Sequence, residues 1–453
     1  MNENLVLFIL GTTGVGKSKL AIELAKEFNG EIISSDSMQL YKGGDIVTNK
    51  VTKEEMNGIE HHMMSILETN TMDYNISNFT STALPIINEI INKGKLPIIV
   101  GGTHYYTLSL IWNNSIISEN EQPPINNSNN NNEKDDKEEK GDILNVEYSY
   151  EKLKELDPVM AEKLHRNDHR KIKRAIDICL NNGGLKNSDI IRSQNNRNLR
   201  FRSCLLWLEC LDDNILLQRL NSRVDDMYSR GLMKEVFDLF QNHNINKEST
   251  EDFTKGISQA IGIKELYPCY ESRNLSKKDQ EKTESLGLEM VRVRTKRYAV
   301  NQVKWIKKLT QDQLLEIHRL DTTDLTKWND IVLRKSIEIV KEYIDNPKEK
   351  TGYLDNSKKT VNPAQSLDNW KKHYCDKCQR EINGDHQWNE HIKSKFHLKG
   401  GLSKKGEKKR KYQELLQQKS DNNNNIINED DGEIEHVDKK LNLDSDNNNS
   451  SNS

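Results

Sequence analysis

An α/β protein built on a parallel sheet is what this sequence predicts, and three observations predict it. Val6 to Leu10 are apolar in succession, a run short enough for a buried strand. A glycine-rich turn follows at once, and after it Leu20, Leu24 and Phe28 recur at helical spacing. Two more short strands, Glu31 to Ser34 and Pro97 to Val100, each open into a polar or glycine-bearing loop. Strands alternating with helices in this way make an open parallel sheet, with ligands bound beyond the carboxyl ends of the strands.

The first turn carries the most specific signal. Gly11, Thr12, Thr13, Gly14, Val15, Gly16, Lys17 and Ser18 fill the pattern G-x-x-x-x-G-K-[ST] between a strand and a helix. Glycines there let consecutive backbone N–H groups point inward, the helix start adds partial positive charge, and Lys17 adds a full one. The Ser18 hydroxyl is placed to hold Mg²⁺. Such a cradle holds a diphosphate or polyphosphate. Asp36 falls where the second strand meets its loop, so it faces the same ligand, as a Mg²⁺ ligand or a proton acceptor. The third strand ends in Gly101, Gly102 and Thr103 instead of the acidic residue that a motor-type ATPase places there. Paired glycines let backbone approach a ligand closely, and the cradle is expected to serve something other than ATP hydrolysis.

Composition bounds the rest. The 453 residues leave room for two or three domains, and a net charge of −3 excludes a globally basic nucleic-acid coat. Six cysteines are too few and scattered for a disulfide scaffold, and Cys375 and Cys378 form a close pair that suggests a metal in a reducing compartment. No run approaches a membrane span, and no basic leader precedes the first strand. A cytoplasmic chain with no membrane partner is expected. The basic cluster from Lys404 to Lys411 permits nuclear entry, and mitochondrial import stays open.

Past Trp112 the pattern gives way to QPPINNSNNNNEKDDKEEKGD, which cannot bury a core and reads as a disordered insertion. Helical spacing returns at Leu153, Leu156, Met160 and Leu164, then at Ile172, Ile176 and Leu180. Between Arg166 and Arg174 that stretch holds Arg166, Arg170, Lys171, Lys173 and Arg174 against one acid, Asp168, which suits either a solvated face or phosphate-backbone contact. Arg202 to Cys210 reads as a further strand, followed by a helix with Leu217, Leu220, Val224 and Met227 on one stripe and Arg219 and Arg223 beside it. The helix Val291 to Lys308 holds seven basic residues and no acid, with Tyr298 and Trp305 among them, a pattern that suits RNA or core.

Near the carboxyl end, Cys375, Cys378, His391 and His397 have the spacing of a two-Cys, two-His zinc finger, with Trp388 and Phe396 available as its small core. Four protein ligands close such a site, so the zinc is structural. An Asn/Asp-rich tail follows and is expected to be disordered.

Taken together these motifs resemble the tRNA dimethylallyltransferases, also called tRNA isopentenyltransferases, in their eukaryotic form with a carboxyl-terminal zinc finger. The matching pieces are GTTGVGKS, DSMQLYKGGDIVTNK, IEHHMMSI, VGGTHYY, DPVMAEKLHRNDHRKIKRA, RVDDMYSRGLMKEV, QAIGIKEL and TKRYAVNQVKWIKK, in family order from about residue 5 to 310. Val300 and Asn301 stand where the family commonly has a Lys-Arg pair. The resemblance implies transfer of a dimethylallyl group from dimethylallyl diphosphate to the exocyclic amine of the adenosine 3′ to certain tRNA anticodons. It assigns Asp36 to the amine, with Thr13 at the channel mouth and Arg223 on the leaving diphosphate. It places Asp36, Ser37, Met38, Gln39, Thr103, Arg170, Lys171, Ile172, Lys173, Arg174, Gln302 and Trp305 against the RNA.

The expected fold class is therefore α/β, a P-loop NTPase-like parallel sheet with an inserted helical domain and a C-terminal ββα-type zinc finger. The expected domains are a first part of the catalytic core at 1–112, a tRNA-embracing insertion at 113–200 and a second part of the core at 201–345. A linker at 346–370, the finger at 371–400 and a basic, then Asn/Asp-rich tail at 401–453 complete the chain. Mg²⁺ and Zn²⁺ are the expected cofactors, tRNA and dimethylallyl diphosphate the partners, and a monomer the state. Three rivals share parts of the pattern: a dimethylallyltransferase acting on free AMP, ADP or ATP, a small-molecule kinase, and an RNA-binding protein on a degenerate nucleotide fold.

Overall fold

The first strand, β1 (Leu5–Gly11), is buried from end to end, and its alternate side chains face opposite ways. Val6, Phe8 and Leu10 join one core with Ile33, Ile99, Leu205 and Trp207. Leu5, Leu7 and Ile9 join a second core with Ile32, Ile98, Cys204 and Leu206. A strand buried on both faces belongs inside a parallel sheet, which is why it reads as one apolar run. The computed structural model describes residues 4–113, 148–181, 186–189, 198–242, 253–311, 314–353 and 370–398.

From β1 the chain runs through α1 (Lys17–Glu27), β2 (Gly30–Ser34), α2 (Lys53–Met56), β3 (His61–His62), α3 (Ile76–Asn92), β4 (Leu96–Val100) and α4 (His104–Ile111). The helices α5 (Tyr150–Leu156), α6 (Pro158–Lys163) and α7 (His169–Asn181) come next, then β5 (Arg202–Glu209), α8 (Asp213–Ser229) and α9 (Leu232–Asn242). Beyond them lie α10 (Ile263–Glu271), the long α11 (Lys277–Gln311), β6 (Ile317–Asp321) and α12 (Arg334–Asp345). Six strands pair in the order β3-β2-β4-β1-β5-β6, all parallel. Every strand thus ends on the same edge of the sheet.

Local chemistry sets several boundaries. Asp212 caps α8, its Oδ1 accepting the N–H groups of Asn214 and Ile215. Asn75 caps α3, its Oδ1 accepting the N–H groups of Ser77 and Asn78, and the helix carries Pro85 in its interior. A proline there removes a helical hydrogen bond. The burial of Phe79, Ala83, Ile87 and Ile90 on one face holds α3 together regardless.

Two compact units divide the chain, Met1–Met160 with His169–Asn369, and Ala161–Asp168 with Trp370–Ser453. The described helices α5 and α7 of the expected insertion belong to the larger unit, with Leu153, Ile172, Ala175 and Ile176 buried. In the smaller unit β7 (Lys372–Cys375) and β8 (Arg380–Asn383) form an antiparallel hairpin followed by α13 (Asp385–Lys393) and α14 (Lys395–Leu398). Its interior differs from the expected Trp388 and Phe396 pair. Among its described residues Cys375, Ile382, Asn383 and His391 are buried, while Trp388 stacks on His373 at 5.0 Å. Phe396 is 37 % exposed, and its ring faces the Arg380 guanidinium at 5.3 Å. A cation covers that ring where apolar packing was expected.

The Asn-rich tract, residues 354–369 of the linker, the cluster from Lys404 to Lys411 and the tail lie outside the described residues. Among the described residues no helix is long and apolar enough to cross a membrane.

The glycine pair after β4 lines the main cavity and also meets a packing constraint. A Cβ at Gly101 would lie 2.3 Å from the Ser35 carbonyl carbon, because the turn leaving β2 packs directly on it. The two turns are laced together, Ser35 N–H donating to Val100 O at 2.8 Å and Thr103 N–H to Ser35 O at 3.2 Å. Gly101→Ala is expected to cost about 1–3 kcal/mol through overpacking. A urea titration checks this: the midpoint falls with an unchanged slope, whereas a wild-type midpoint would mean that the β2 turn yields freely.

Candidate active site

The loop between β1 and α1 turns on Gly14 (φ 86°) and Gly16 (φ 89°), a left-handed backbone that side-chain-bearing residues avoid. Gly16 caps α1 without any side-chain hydrogen bond, so the first amides of the helix stay available to an anion. Thr12 and Val15 are buried, and they contribute backbone to the cradle. The Lys17 ammonium donates to Thr12 O at 2.8 Å, folded back over the loop. From α8, Arg223 Nη1 donates to Thr13 Oγ1 at 2.8 Å.

One cavity of about 660 Å³ is lined by Thr13, Lys17, Ser18, Asp36, Ser37, Met38, Gln39, Thr103, Arg223, Gln302 and Trp305, all residues singled out in the sequence. Gly11, Thr12, Gly14, Val15 and Gly16 form the loop behind that wall. Asp36 is part of its lining. Its Oδ1 accepts the Met38 N–H at 3.1 Å, and a Cβ at Gly102 would lie 2.8 Å from its Oδ2. Glycine at 102 therefore makes room for the carboxylate itself. Thr103 Oγ1 accepts the Ser37 N–H at 3.0 Å, and Gln39 bridges its neighbours by accepting from Ser34 Oγ and donating to Thr48 O and Asn49 O.

Gln302 differs from a free RNA-gripping side chain. It is 3 % exposed, its Oε1 accepts the Thr13 N–H at 2.9 Å and the Thr12 hydroxyl at 3.1 Å, and its Nε2 donates to Gly102 O at 2.9 Å. Trp305 lies at the cavity edge with Tyr105, 58 % exposed, against it at 4.3 Å and 64°. Arg170, Lys171, Lys173 and Arg174 do not line the cavity and are exposed on α7. Ile172 between them is 1 % exposed and packs inward, so it anchors the helix that carries those cations.

The electrostatics follow from crowding two cations and a carboxylate into a cleft. Burial pushes Lys17 down to about 8, helped by the nearby Arg223 charge and opposed by Asp36. Burial raises the Asp36 carboxyl, against the Met38 and Gly102 N–H groups and the charges of Lys17 and Arg223. A carboxylate with a raised pKa is the better proton acceptor.

Sequence reasoning noted Tyr298 only as an aromatic of a basic helix, and it passed over the lining residues Arg294, His61 and His104. Tyr298 and Arg294 lie one and two turns before Gln302 on α11, so stepping back by fours from Gln302 finds them. Tyr298 donates to Gly102 O at 3.0 Å, and its hydroxyl is held protonated by burial and by the Asp36 charge. His61 and His104 sit inside recognised motifs without a distinguishing pattern of their own. His104 is buried with no hydrogen-bond partner on either ring nitrogen, and burial, with Lys17 nearby, lowers it to about 4.

In the smaller unit the ligand atoms of Cys375, Cys378, His391 and His397 lie within 4.8 Å of one another. His397 Nδ1 is 3.4 Å from Cys375 Sγ, 3.6 Å from Cys378 Sγ and 3.1 Å from His391 Nε2. Edges of about 3.3–3.8 Å are what a tetrahedral ion with nitrogen and sulfur ligands requires, so this donor set fits a metal.

The fold and the cavity define a P-loop-like α/β protein whose cavity is lined by Lys17 and Ser18 of the loop and by Asp36, with no acidic residue directly at the end of β4. The chain belongs to the IPP transferase family, whose model matches residues 39–309. It is 34 % identical over 410 residues to a tRNA dimethylallyltransferase of Homo sapiens, covering 87 % of this chain and 85 % of that one. A tRNA dimethylallyltransferase of Saccharomyces cerevisiae is 35 % identical over 412 residues, 86 % of this chain and 91 % of the relative. A solved eukaryotic dimethylallyltransferase acting on tRNA superposes with a TM-score of 0.69 at 29 % identity, over 91 % of this chain and 100 % of that one.

Lys17 makes polyanion binding sensitive to pH. Its ammonium is charged below about 8 in the empty cradle and neutral above. A diphosphate favours the charged form, so binding above that pH takes up a proton and affinity falls, by about tenfold per unit in the limit. Calorimetry of inorganic diphosphate binding at pH 9, in buffers of different ionisation enthalpy, reads the proton directly. Binding with no buffer dependence would remove Lys17 from the cradle.

Proposed function

We propose that this protein transfers the dimethylallyl group of dimethylallyl diphosphate to the exocyclic amine of the adenosine 3′-adjacent to the anticodon in tRNA, releasing diphosphate. The observation that carries the reading is a single cavity bounded by the phosphate cradle on one wall and Asp36 on another. A family resemblance alone would not say how the two substrates meet. Here a diphosphate held by the loop amides, Lys17 and Arg223 directs its allylic carbon into the space that Asp36 borders. As the amine nitrogen bonds to that carbon, the carbon–oxygen bond to diphosphate breaks and the oxygen keeps the electron pair. Asp36 orients the amine and takes its proton, and Thr13, fixed by Arg223, guards the channel.

Adenine stacked in an anticodon loop cannot reach such a cavity, so the base is flipped into it. Ser37, Met38, Gln39, Thr103 and Trp305 border the entering base, and the exposed cations of α7 suit the phosphate backbone of the stem. This supports the assignment of residues 113–200 to RNA.

Ser18 lines the cavity next to Lys17, and one hydroxyl suffices for Mg²⁺ when substrate phosphates and water complete the octahedron. Mg²⁺ bound there would neutralise charge building on the leaving diphosphate. Zn²⁺ held by Cys375, Cys378, His391 and His397 would act by folding the finger, since four protein ligands leave no open position.

Purified protein incubated with dimethylallyl diphosphate and either total tRNA or AMP should label tRNA. Label confined to AMP would select the free-nucleotide reaction instead, and ATP consumption would select a kinase. Asp36→Ala should lower transfer by about 10²–10⁴-fold while inorganic diphosphate still binds. Retained turnover in that variant would defeat the role given to Asp36. Cys375→Ser should release zinc to a chelating dye and raise KM for tRNA, leaving diphosphate affinity as it was.

A further inference from the structure

Gly16 closes the phosphate loop, and one side chain from the segment that follows β6 covers it. A Cβ at Gly16 would lie 2.8 Å from two ring carbons of Trp328, so the indole rests directly on the Gly16 backbone. The same indole donates its Nε1–H to Glu23 Oε2 at 2.8 Å, and the Lys19 ammonium stands 4.5 Å from its ring centre. Trp328 is 3 % exposed. Gly16, Lys19 and Glu23 follow one another by three and four residues, so a single ring spans the last residue of the loop and the first two turns of α1.

Two further features separate this contact from ordinary core filling. The loop is held on another side as well: a Cβ at Gly14 would meet Leu220 of α8 at 3.0 Å. The glycine turn is thus bounded by α8 and by the indole. Trp328 also opens a π-helical segment, Trp328–Leu333, soon after the chain leaves β6. Such segments are rare and recur at functional sites. The segment lies beyond the family-matched residues 39–309.

We propose that Trp328 is a positioning residue of the diphosphate cradle. Two glycines at positive φ give the loop its shape but also the greatest freedom to lose it. The indole removes that freedom at Gly16 before ligand arrives, so the amides that open α1 are already converged, and ordering is not charged to the binding step. Trp328 itself does not line the cavity and touches no ligand. The Glu23 carboxylate fixes the rotation of the ring, and the Lys19 ammonium covers its face. This inference deepens, and rests on, the reading of the cradle as a diphosphate site.

Inorganic diphosphate with Mg²⁺ is the probe, measured by calorimetry on the full chain and compared with steady-state transfer. Trp328→Ala should weaken diphosphate binding by about tenfold, equivalent to about 1.4 kcal/mol. It should raise KM for dimethylallyl diphosphate in proportion, with kcat changed by less than about twofold. Trp328→Phe, which keeps an aromatic ring on Gly16, should restore most of the affinity. Val332→Ala removes a buried side chain from the same π-helical segment and should lower Tm while leaving the diphosphate Kd unchanged. If Trp328→Ala does not fold, hydrogen exchange at residues 12–18 of Trp328→Phe replaces it, with faster exchange than wild type expected in the empty protein. Wild-type affinity in Trp328→Ala, equal weakening in Val332→Ala, or wild-type exchange in Trp328→Phe would each overturn the proposal. A wild-type protein that binds no diphosphate would overturn the cradle and the clamp together, which keeps the two failures distinct.

Discussion

The carboxamide of Gln302 is the interaction on which the rest of the cavity depends. From the middle of α11 it accepts from the phosphate loop and donates to the turn after β4, tying together three segments that are separated by up to 290 residues. It does so without charge, in a place where an ion would compete with the substrate's phosphates. Tyr298, one turn earlier, donates to the same Gly102 carbonyl, so α11 grips that turn twice. Gly102 in turn leaves space for the Asp36 carboxylate. Removing the amide would leave buried donors and acceptors unpaired at the loop and at the β4 turn, each a penalty of about 1–3 kcal/mol.

The charges in the cavity are arranged for a ligand that has yet to arrive. Lys17 and Arg223 disfavour one another, and burial strips both of water, so the empty cradle holds its cations at a cost. A polyanion relieves the repulsion and replaces the lost hydration, which concentrates affinity on the phosphate end of a donor. The carboxylate across the cavity experiences the opposite. Burial raises it, opposed by the Met38 and Gly102 N–H groups and by the two cations, and a raised carboxylate is the stronger proton acceptor. The two effects are coupled through distance, because the cations that hold the leaving group also tune the base.

Much of this was legible in the sequence, and the divide is between local and long-range chemistry. The phosphate loop, Asp36 and the finger ligands are short patterns in which residue type and spacing already state the chemistry, and the cavity and the donor cluster bring those same residues together. β6 escaped notice because Ile317–Asp321 is an edge strand of mixed polarity, without the apolar run that marks β1 or β4. His104 and Tyr298 acquire their character from burial beside Lys17 and Asp36, which no local pattern encodes. The resemblance set Gln302 against the RNA, and no local pattern showed that its buried carboxamide would join the phosphate loop to the β4 turn while lining the cavity. Phe396 looked like core because it is aromatic, but a helix of four residues placed it at the surface under a guanidinium.

A parallel sheet explains why so many distant residues can converge. With all six strands running the same way, each carboxyl end delivers its following turn to one edge, and ligands bind there. β1 delivers the phosphate loop, β2 delivers Asp36, and β4 delivers Gly101 to Thr103. β5 leads into α8 and hence to Arg223, and β6 leads to Trp328 behind the loop. The interior strands carry the groups that face substrate, and the edge strand β6 carries a group that braces one of them. Such a division lets an edge strand tolerate polar residues, since its own faces need not fill the core, while its position next to β5 still fixes where the following segment lands. Substrate chemistry and mechanical support are therefore laid out in the order of the strands, and the bracing is found where sequence signals are weakest.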